Sequence, residues 1–552
     1  MYRRLNIAEP KRGAVVAAAA ALAAVLLAGI VLRTVALGSV PAGLHQDEAC
    51  NGYDAYCILK TGRDQHGHPL PLAFQAFNDY RMPLFDYSLV PLIGIFGLKT
   101  WVVRFGAALW GVADLIAIAA LAWELIGLPA APIAVALAAV SPWHLVISRF
   151  GTEESCAAAI ISWAIVCFLW AIRRRDGRWL AACGFLFGLS LYGYSTTKLF
   201  VPLLAGLLLL LYWRELRPMM RWVGAAALIF AAMALPQAWL IAVDSAAMQA
   251  RYNQLSILNE TGGWWRIPLN WLTHFSPDFL FGGANPLFIL PKGLAPLLPA
   301  QELMAVAGIA ALFDSKRRRT ALLLIGWIAA ASVPGALLRP APEPNALHDY
   351  LIIVPWALFS ALGAIALVEL PVWKRAGDPN AARGAQFTLL GGIMALALIQ
   401  GAIFAHYYFT GFSTDRETMF AFGTEKLVRA AERLAAPGET IDFPLTIRQG
   451  YIYPLFFNAY PPRRFQSEPI QQAHGLFGRV RGFDRYRFGN PWRAFEELPH
   501  GVFVFPQRLF TPKDRWQPFP ASRPDPTDFP APPARPAMVL HLGKNIYRIV
   551  VK

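Results

Sequence analysis

Two acidic pairs carry the chemistry this sequence could do. Asp47 and Glu48 stand in "LHQDEACNGYDAY", directly after the first long apolar run, and Glu153 and Glu154 stand in "SRFGTEES", directly before another. Cations occupy comparable positions at run ends: Arg81, Arg149, Lys198, Arg339 and His348. A single carboxylate can take the proton of an attacking hydroxyl or amine. Cations can hold a phosphate and stabilise the charge that grows on it as it departs. The combination suits group transfer from a lipid phosphate at a membrane surface. A phosphate leaving group is already a weak base, so the second carboxylic acid that ordinary glycosidases use is not required.

Every one of these residues has a structural alternative. Asp47 could cap the helix that begins "EACNGYDAY". Arg81, Arg149 and Arg339 could snorkel to lipid headgroups, and Glu153 and Glu154 could start a helix and favour its positive end. His348 could be a hydrogen-bonded interface residue. His66 and His68 in "DQHGHPLP" have the look of a metal pair, against a Gly-Pro-flanked turn that bonds its own backbone. Tyr192 and Tyr194 fit an interfacial aromatic belt or the lining of a sugar pocket. Asp114 lies deep in an apolar run, where an unpaired acid is costly; it reads as a helix-packing group whose partner the sequence does not name.

The elements that must position these residues are membrane spans. Of 552 residues 56% are hydrophobic and only 15% charged, far from a soluble average. A hydrocarbon core about 30 Å thick needs roughly 20 apolar residues per helix. Runs of that kind fall at 13–37, 102–124, 130–147, 153–172, 179–195, 199–213, 222–243, 296–313, 320–338, 349–370 and 386–408, eleven in all. The net charge of +15 could suggest nucleic acid, but topology accounts for it and no nucleic-acid partner is expected. The first run follows "MYRRLNIAEPKR", is too long for a signal peptide and lacks an Ala-x-Ala exit, so an uncleaved span with a cytoplasmic N-terminus is expected. Alternation then puts "RRRDGR" (173–178), "WRELRPMMRW" (213–222), "DSKRRR" (314–319) and "VWKRAGDPNAAR" (372–383) inside, with the weakly charged turn at 125–129. This requires that 83–98, a short segment containing Pro91, lie along the interface without crossing. The outward loops are then 40–100, 148–155, 192–198, 244–295 and 339–350, where the acids, Arg, His and Tyr collect beside the membrane surface.

After His406 the composition turns polar and rich in Pro and aromatics. Residues 415–435 have helical spacing, and "ETIDFPL", "GVFVFP" and "MVLHLGKNIYRIVVK" read as strands, the last as a hairpin about Gly543-Lys544. The division is a membrane domain at 1–409, with its first outward loop at 39–100, and a small outward α/β domain at 410–552 that docks an acceptor or caps the membrane part. Cys50 and Cys57, seven residues apart on a helix, would lie roughly 10 Å apart by helical rise, too far for a disulfide. No Cys-x-x-Cys metal spacing occurs.

In order along the chain, "HQDEACNGYDAYCILKTGRDQHGHPLP", "DYRMPLFDY", "GLKTWVVRFGAALWG", "SPWHLVISRFGTEES" and "HFSPDFLFGGANP" resemble the GT-C membrane glycosyltransferases, in particular the bacterial branch of glycosyltransferase family 39 with protein O-mannosyltransferases and lipid A aminoarabinose transferases. The resemblance implies a mainly α, polytopic GT-C fold, a polyprenyl-phosphate-linked sugar donor, an inverting single displacement, an acceptor that is a protein, lipid or glycan, and a site beneath the first outward loop of a bacterial inner membrane protein. By position it makes Asp47 the catalytic base with Glu48 its neighbour. Arg81 stands where related enzymes carry Lys ahead of prolines and would hold the donor phosphate with Arg339, Lys198 and His348; here "YRMP" replaces the more usual Lys-Pro-Pro. Tyr53, Tyr80, Glu153, Glu154, Tyr192 and Tyr194 would line the sugar or acceptor pocket. Glu153 and Glu154 occupy the loop where related oligosaccharyltransferases carry metal-binding acids, but family 39 enzymes do not generally need a metal, and none is expected. The rival readings are a polytopic transporter, which broken apolar segments would suit, and a non-catalytic polysaccharide-assembly or export protein.

Overall fold

The computed structural model describes residues 12–77, 79–243, 256–260, 262–283, 294–339, 344–369, 379–415, 419–468, 471–473, 479–510 and 526–552. Each apolar run of the sequence is helical. Helix α1 spans Arg12–Thr34, and α2, Gln46–Thr61, follows it in the first loop. A short hairpin, β1 Phe74–Ala76 and β2 Asp79–Arg81, leads into α3, Leu84–Phe96. Then come α4 Thr100–Leu125, α5 Ala130–Val140, α6 Pro142–Ile147, α7 Glu154–Arg174, α8 Arg178–Ser190, α9 Thr197–Leu216 and α10 Met220–Val243. The membrane part is completed by α11 Ile267–Thr273, α12 Ala300–Ile309, α13 Arg318–Ala331, α14 Ile353–Val368 and α15 Pro379–Thr410. Parts of the outward loops 244–295 and 339–350 and of the basic loop 372–383 lie outside the described residues.

Among the described residues, seven helical stretches could each cross a membrane by length and composition. One of them, Thr197–Val243, contains a reversal, because the backbone leaves helical geometry at Tyr212 (φ −119°, ψ 20°). Gly177, Gly184 and Gly188 lie against Trp222, Ala226 and Met233 in turn, so α8 and α10 run parallel and α9 returns between them. The shorter apolar helices Ala130–Val140, Arg178–Ser190 and Ala300–Leu312 make up the remaining runs. On the long helices the large side chains that face outward, such as Leu210, Leu228 and Ile403, are apolar, as lipid contact requires.

The loop ends sort into two faces. On one, Arg173 pairs with Glu124 at 2.7 Å, Arg319 with Glu215 at 2.6 Å and Arg317 with Glu369, while the Thr320 hydroxyl donates to Leu125 O. These are the basic loops expected on the inside. On the other, the Leu84 amide donates to Tyr192 O, Gln237 Nε2 to Leu72 O and Asn51 Nδ2 to Gly151 O. Helix α3 has both ends there, since Leu84 bonds Tyr192 and the Phe96 ring packs 5.2 Å from that of Trp101 at the start of α4. It does not cross, and its internal Pro91 and 13-residue length explain why.

The tail forms α16 Thr424–Leu434, a strongly two-faced helix that buries Leu427, Val428 and Ala431, and α17 Ile452–Phe457 beside a mixed sheet. Its strands are β3 Ile441–Pro444, β4 Gln471–Ala473, β5 Arg479–Phe483, β6 Tyr486–Gly489, β7 Val502–Phe510, β8 Pro526–Asp528, β9 Met538–Leu542 and β10 Asn545–Val551. The order is β4-β5-β6-β3-β7-β10-β9, with β8 on β7. Central β3 is parallel to both neighbours and buried on both faces, as parallel strands require. The β9–β10 hairpin turns at Gly543-Lys544, where Gly543 takes φ 61°, the positive value a two-residue turn needs at its first position. One hydrophobic core joins the first loop to this tail: Leu44, Tyr53 and Phe85 pack with Phe443, Tyr451 and Phe456.

Candidate active site

The site is built on the C-terminal end of α1, where the last helical carbonyls have no partner in the helix and carry its negative end. Arginine forks fill that need. Arg149, fully buried, donates to Leu32 O and Val35 O at 2.8 Å and to Val40 O at 2.9 Å, with its plane over the Phe409 ring. Arg104 donates to Leu37 O, Pro41 O and Gly43 O at 3.1, 2.6 and 2.7 Å. Arg149 is therefore a clasp on the backbone and does not reach headgroups. Gly43 makes the turn possible: its φ is 92°, and a Cβ there would sit 2.2 Å from Phe420 O.

From this base α2 begins with a capping box. The N-cap is His45, whose Nδ1 accepts from the Asp47 amide at 3.2 Å while Glu48 Oε2 accepts from the His45 amide at 3.0 Å. Accepting at Nδ1 leaves the ring proton on Nε2. Burial lowers the pKa of His45, with Asp47 opposing, so the ring is neutral. Glu48 is wholly buried and also receives Arg104 Nε at 2.8 Å, Arg104 Nη2 at 3.0 Å and the Gly151 amide at 3.1 Å. All its acceptor capacity is spent on the frame. Asp47 does not cap the helix. Its side chain keeps a third of its surface exposed, and its Oδ2 lies 3.4 Å from His45 Nδ1.

Arg81, on β2, comes back over this helix. It donates to Asp47 O at 3.3 Å, to Asp54 Oδ2 at 3.2 Å and to Cys50 Sγ at 3.1 Å, and lies 4.0 Å from Asp86 Oδ1. Its side chain is 11% exposed and both acids are fully buried. Burial raises the carboxyl of Asp54 well above the usual range and that of Asp86 to about 7, with Arg81 pulling both back. The guanidinium is thus already engaged by two buried acids. It braces the hairpin against α2 and holds the backbone of Asp47.

Glu153 is the N-cap of α7 and Glu154 its first residue, both within electrostatic reach of Asp47. Burial raises the Glu153 carboxyl, then Glu154, with Arg81 opposing, and Asp86 and Asp47 add to it. His348 lies within electrostatic reach of Glu154. Tyr80 neighbours Arg81 in the hairpin, its amide on the Asp79 carboxylate. The remaining expected residues stand elsewhere. The Tyr53 hydroxyl donates to Tyr460 O inside the core shared with the tail, and Tyr194 is buried in the membrane core. Half-buried Tyr192 donates to Met233 O. Arg339 pairs with Glu260 at 3.3 Å, and Lys198, in the first turn of α9, forms no ion pair among the described residues. His66 and His68 belong to a turn closed on Asp64, which accepts both their amides at 2.9 and 2.8 Å.

Asp114, whose partner the sequence left open, accepts from the Ser162 hydroxyl at 2.8 Å and lies 3.2 Å from His144 Nε2. His144 Nδ1 in turn lies 2.9 Å from Arg33 Nη2, so one buried polar chain ties α1, α4, α6 and α7 together. The sequence reading passed over Arg104. An arginine inside the apolar run "WVVRFG" is a signal in itself, since such a charge persists only with a partner.

Residues 81–239 match the sequence family described as dolichyl-phosphate-mannose-protein mannosyltransferase. No curated protein matches the sequence. Among solved structures, ArnT from Cupriavidus metallidurans bound to undecaprenyl phosphate is 14% identical with a TM-score of 0.52, covering 96% of this chain and 97% of that one. The Archaeoglobus fulgidus oligosaccharyltransferase in its apo form is 17% identical with a TM-score of 0.49, covering 79% of this chain and 63% of that one. The fold is GT-C, a multi-pass membrane architecture. The fold and the matched segment are thus those found in GT-C membrane proteins, and residues 81–239 are similar to the mannosyltransferase family.

Proposed function

We propose that the protein is an inverting transferase that moves a sugar from a polyprenyl-phosphate donor to a protein, lipid or glycan acceptor at the exoplasmic face of a bacterial inner membrane. The observation that carries this reading is the contrast within one helix turn. Glu48 is buried and fully bonded, whereas neighbouring Asp47 keeps a third of its side chain exposed while its backbone is held at the amide by His45 and at the carbonyl by Arg81. Asp47 takes the proton of the acceptor hydroxyl or amine. The acceptor lone pair bonds the anomeric carbon from the face opposite the phosphate, the carbon–oxygen bond breaks, and its electron pair leaves on the polyprenyl phosphate. Glu153 and Glu154, in reach of Asp47, line the side from which the acceptor or the sugar comes. Glu48 and Arg81 position the base. Side-chain cations compensate the phosphate in this scheme, and no divalent metal takes part. The reading is supported by the matched family's description and by the undecaprenyl phosphate in the ArnT structure.

The test is a reaction of purified protein with a panel of polyprenyl-phosphate sugars and membrane extract, in which the anomeric configuration of the product is determined. Transfer of one sugar with inverted configuration and undiminished rate in a chelator is expected. Retained configuration would contradict the single displacement.

A further inference from the structure

The face opposite the Asp47 site carries a groove that the reaction does not use. It lies at the basic end of α9, has a volume of about 590 Å³, and its lining includes Leu209, Leu210, Trp213, Arg214, Glu215 and Arg319. The groove surrounds the break at Tyr212, where the backbone leaves helical geometry and the buried tyrosine ring packs 5.2 Å from that of Phe168. Arg319 reaches across from the start of α13. Its guanidinium lies 4.9 Å from the centre of the Tyr212 ring, and its Nη1 donates to Glu215 Oε1 at 2.6 Å. The one acid of the groove is therefore paired within the protein. Arg214 is exposed and makes no hydrogen bond or ion pair among the described residues.

The depth of the groove decides what it meets. Leu210 is 77% exposed and Trp213 51%, and such apolar surface on a spanning helix faces acyl chains. Between Lys198, in the first turn of α9, and Arg214 the helix rises about 24 Å, most of a hydrocarbon core about 30 Å thick. Arg214 thus stands at headgroup depth in the leaflet on the basic side, and Trp213 takes the interfacial position that an indole favours. Apolar wall, interfacial ring and cation follow one another in the order of a phospholipid's own parts. Two arginines against one acid give the groove a net positive charge, and the loop "WRELRPMMRW" adds Arg217 and Arg221 beside it. Basic recesses of this kind select anionic headgroups. We propose that the groove binds one acidic phospholipid of that leaflet, with the phosphodiester on Arg214 and an acyl chain along Leu209 and Leu210. The lipid then lies across the junction of α9 and α13, far from Asp47 and independent of the donor.

The experiment titrates purified full-length protein in detergent with phosphatidylglycerol, with phosphatidylcholine of the same acyl chains and with soluble glycerol phosphate. The first bound molecule is read by native mass spectrometry, alongside the unfolding midpoint. Wild type should prefer phosphatidylglycerol, gain stability from it and ignore glycerol phosphate. R214A should lose about fivefold of its first-site affinity for phosphatidylglycerol, and R214K should recover part of it. R217A, on the same face but outside the lining, should keep the wild-type affinity. If R214A does not fold, R214Q carries the same expectation. Unchanged affinity in R214A, or equal losses in R214A and R217A, would overturn the groove as a site, the second by showing a diffuse attraction to the whole basic face. A wild type that does not distinguish the two lipids would overturn the acidic headgroup. Glycerol phosphate bound as tightly as the lipid would make the occupant a free phosphate ester and overturn the acyl contact.

Discussion

Arg104 and Glu48 form a two-pronged ion pair with no exposed surface, Nε to Oε1 at 2.8 Å and Nη2 to Oε2 at 3.0 Å, between the start of α4 and the first turn of α2. The pair fixes where Asp47 stands, because the same carboxylate closes the capping box and the same guanidinium gathers the carbonyls that precede it.

Removing one member strands the other charge in the interior, at a cost of about 3–5 kcal/mol. Glu48→Gln or Arg104→Met should therefore lower the unfolding midpoint in detergent sharply. Asp47→Asn, at a position a third exposed with no hydrogen bond of its carboxylate to the frame among the described residues, should stay within about 0.5 kcal/mol of wild type. Equal losses for Asp47→Asn and Glu48→Gln would contradict the division of labour between the two acids.

The buried chain Arg33–His144–Asp114–Ser162 is assigned to packing. Asp114→Ala leaves His144 and Ser162 without their acceptor and should cost about 1–3 kcal/mol; Ser162→Ala should cost less than about 1 kcal/mol, as single interhelical hydrogen bonds do. Turnover per folded molecule should not change in either. A variant that folds normally but loses turnover would move this chain into the mechanism.

Asp442 on β3 gives the tail a pH dependence. Burial raises its carboxyl to about 7, with Arg487 opposing. The folded chain then binds a proton that the unfolded chain, at an ordinary carboxyl pKa near 4, has released. Stability contributed by that proton is present below about pH 4 and falls as pH rises from about 4 to about 7. In wild type and Asp442→Asn unfolded in parallel over that window, the wild-type midpoint should decline with pH relative to the mutant. Parallel curves would show that Asp442 titrates normally.

Most of the architecture was legible because membrane helices are specified locally, by runs of apolar residues, and the basic loops assign their faces. The surface position of 83–98 followed from parity together with its short length and Pro91, and the structure supplies its contacts with Tyr192 and Trp101. The strands at Ile441–Pro444 and Met538–Leu542 announced themselves by β-branched and aromatic runs and a Gly turn. Side-chain roles were less legible, because they depend on partners far along the chain. Nothing in "QDEA" tells which acid is buried: the distinction comes from Arg104, 56 residues on. Arg81 looked like a phosphate clamp because its acids Asp54 and Asp86 are neighbours only after folding. Tyr53 and Tyr194 looked like pocket aromatics because the surfaces that bury them come from the tail and from other helices.

The most direct measurement is release of free polyprenyl phosphate from a polyprenyl-phosphate sugar by wild type and Asp47→Asn, at matched folded concentrations with membrane extract as acceptor. Loss of a positioned general base predicts a fall of about 10²–10⁴-fold in turnover with donor binding retained. Equal release by the two proteins would remove Asp47 as the base and with it the central assignment.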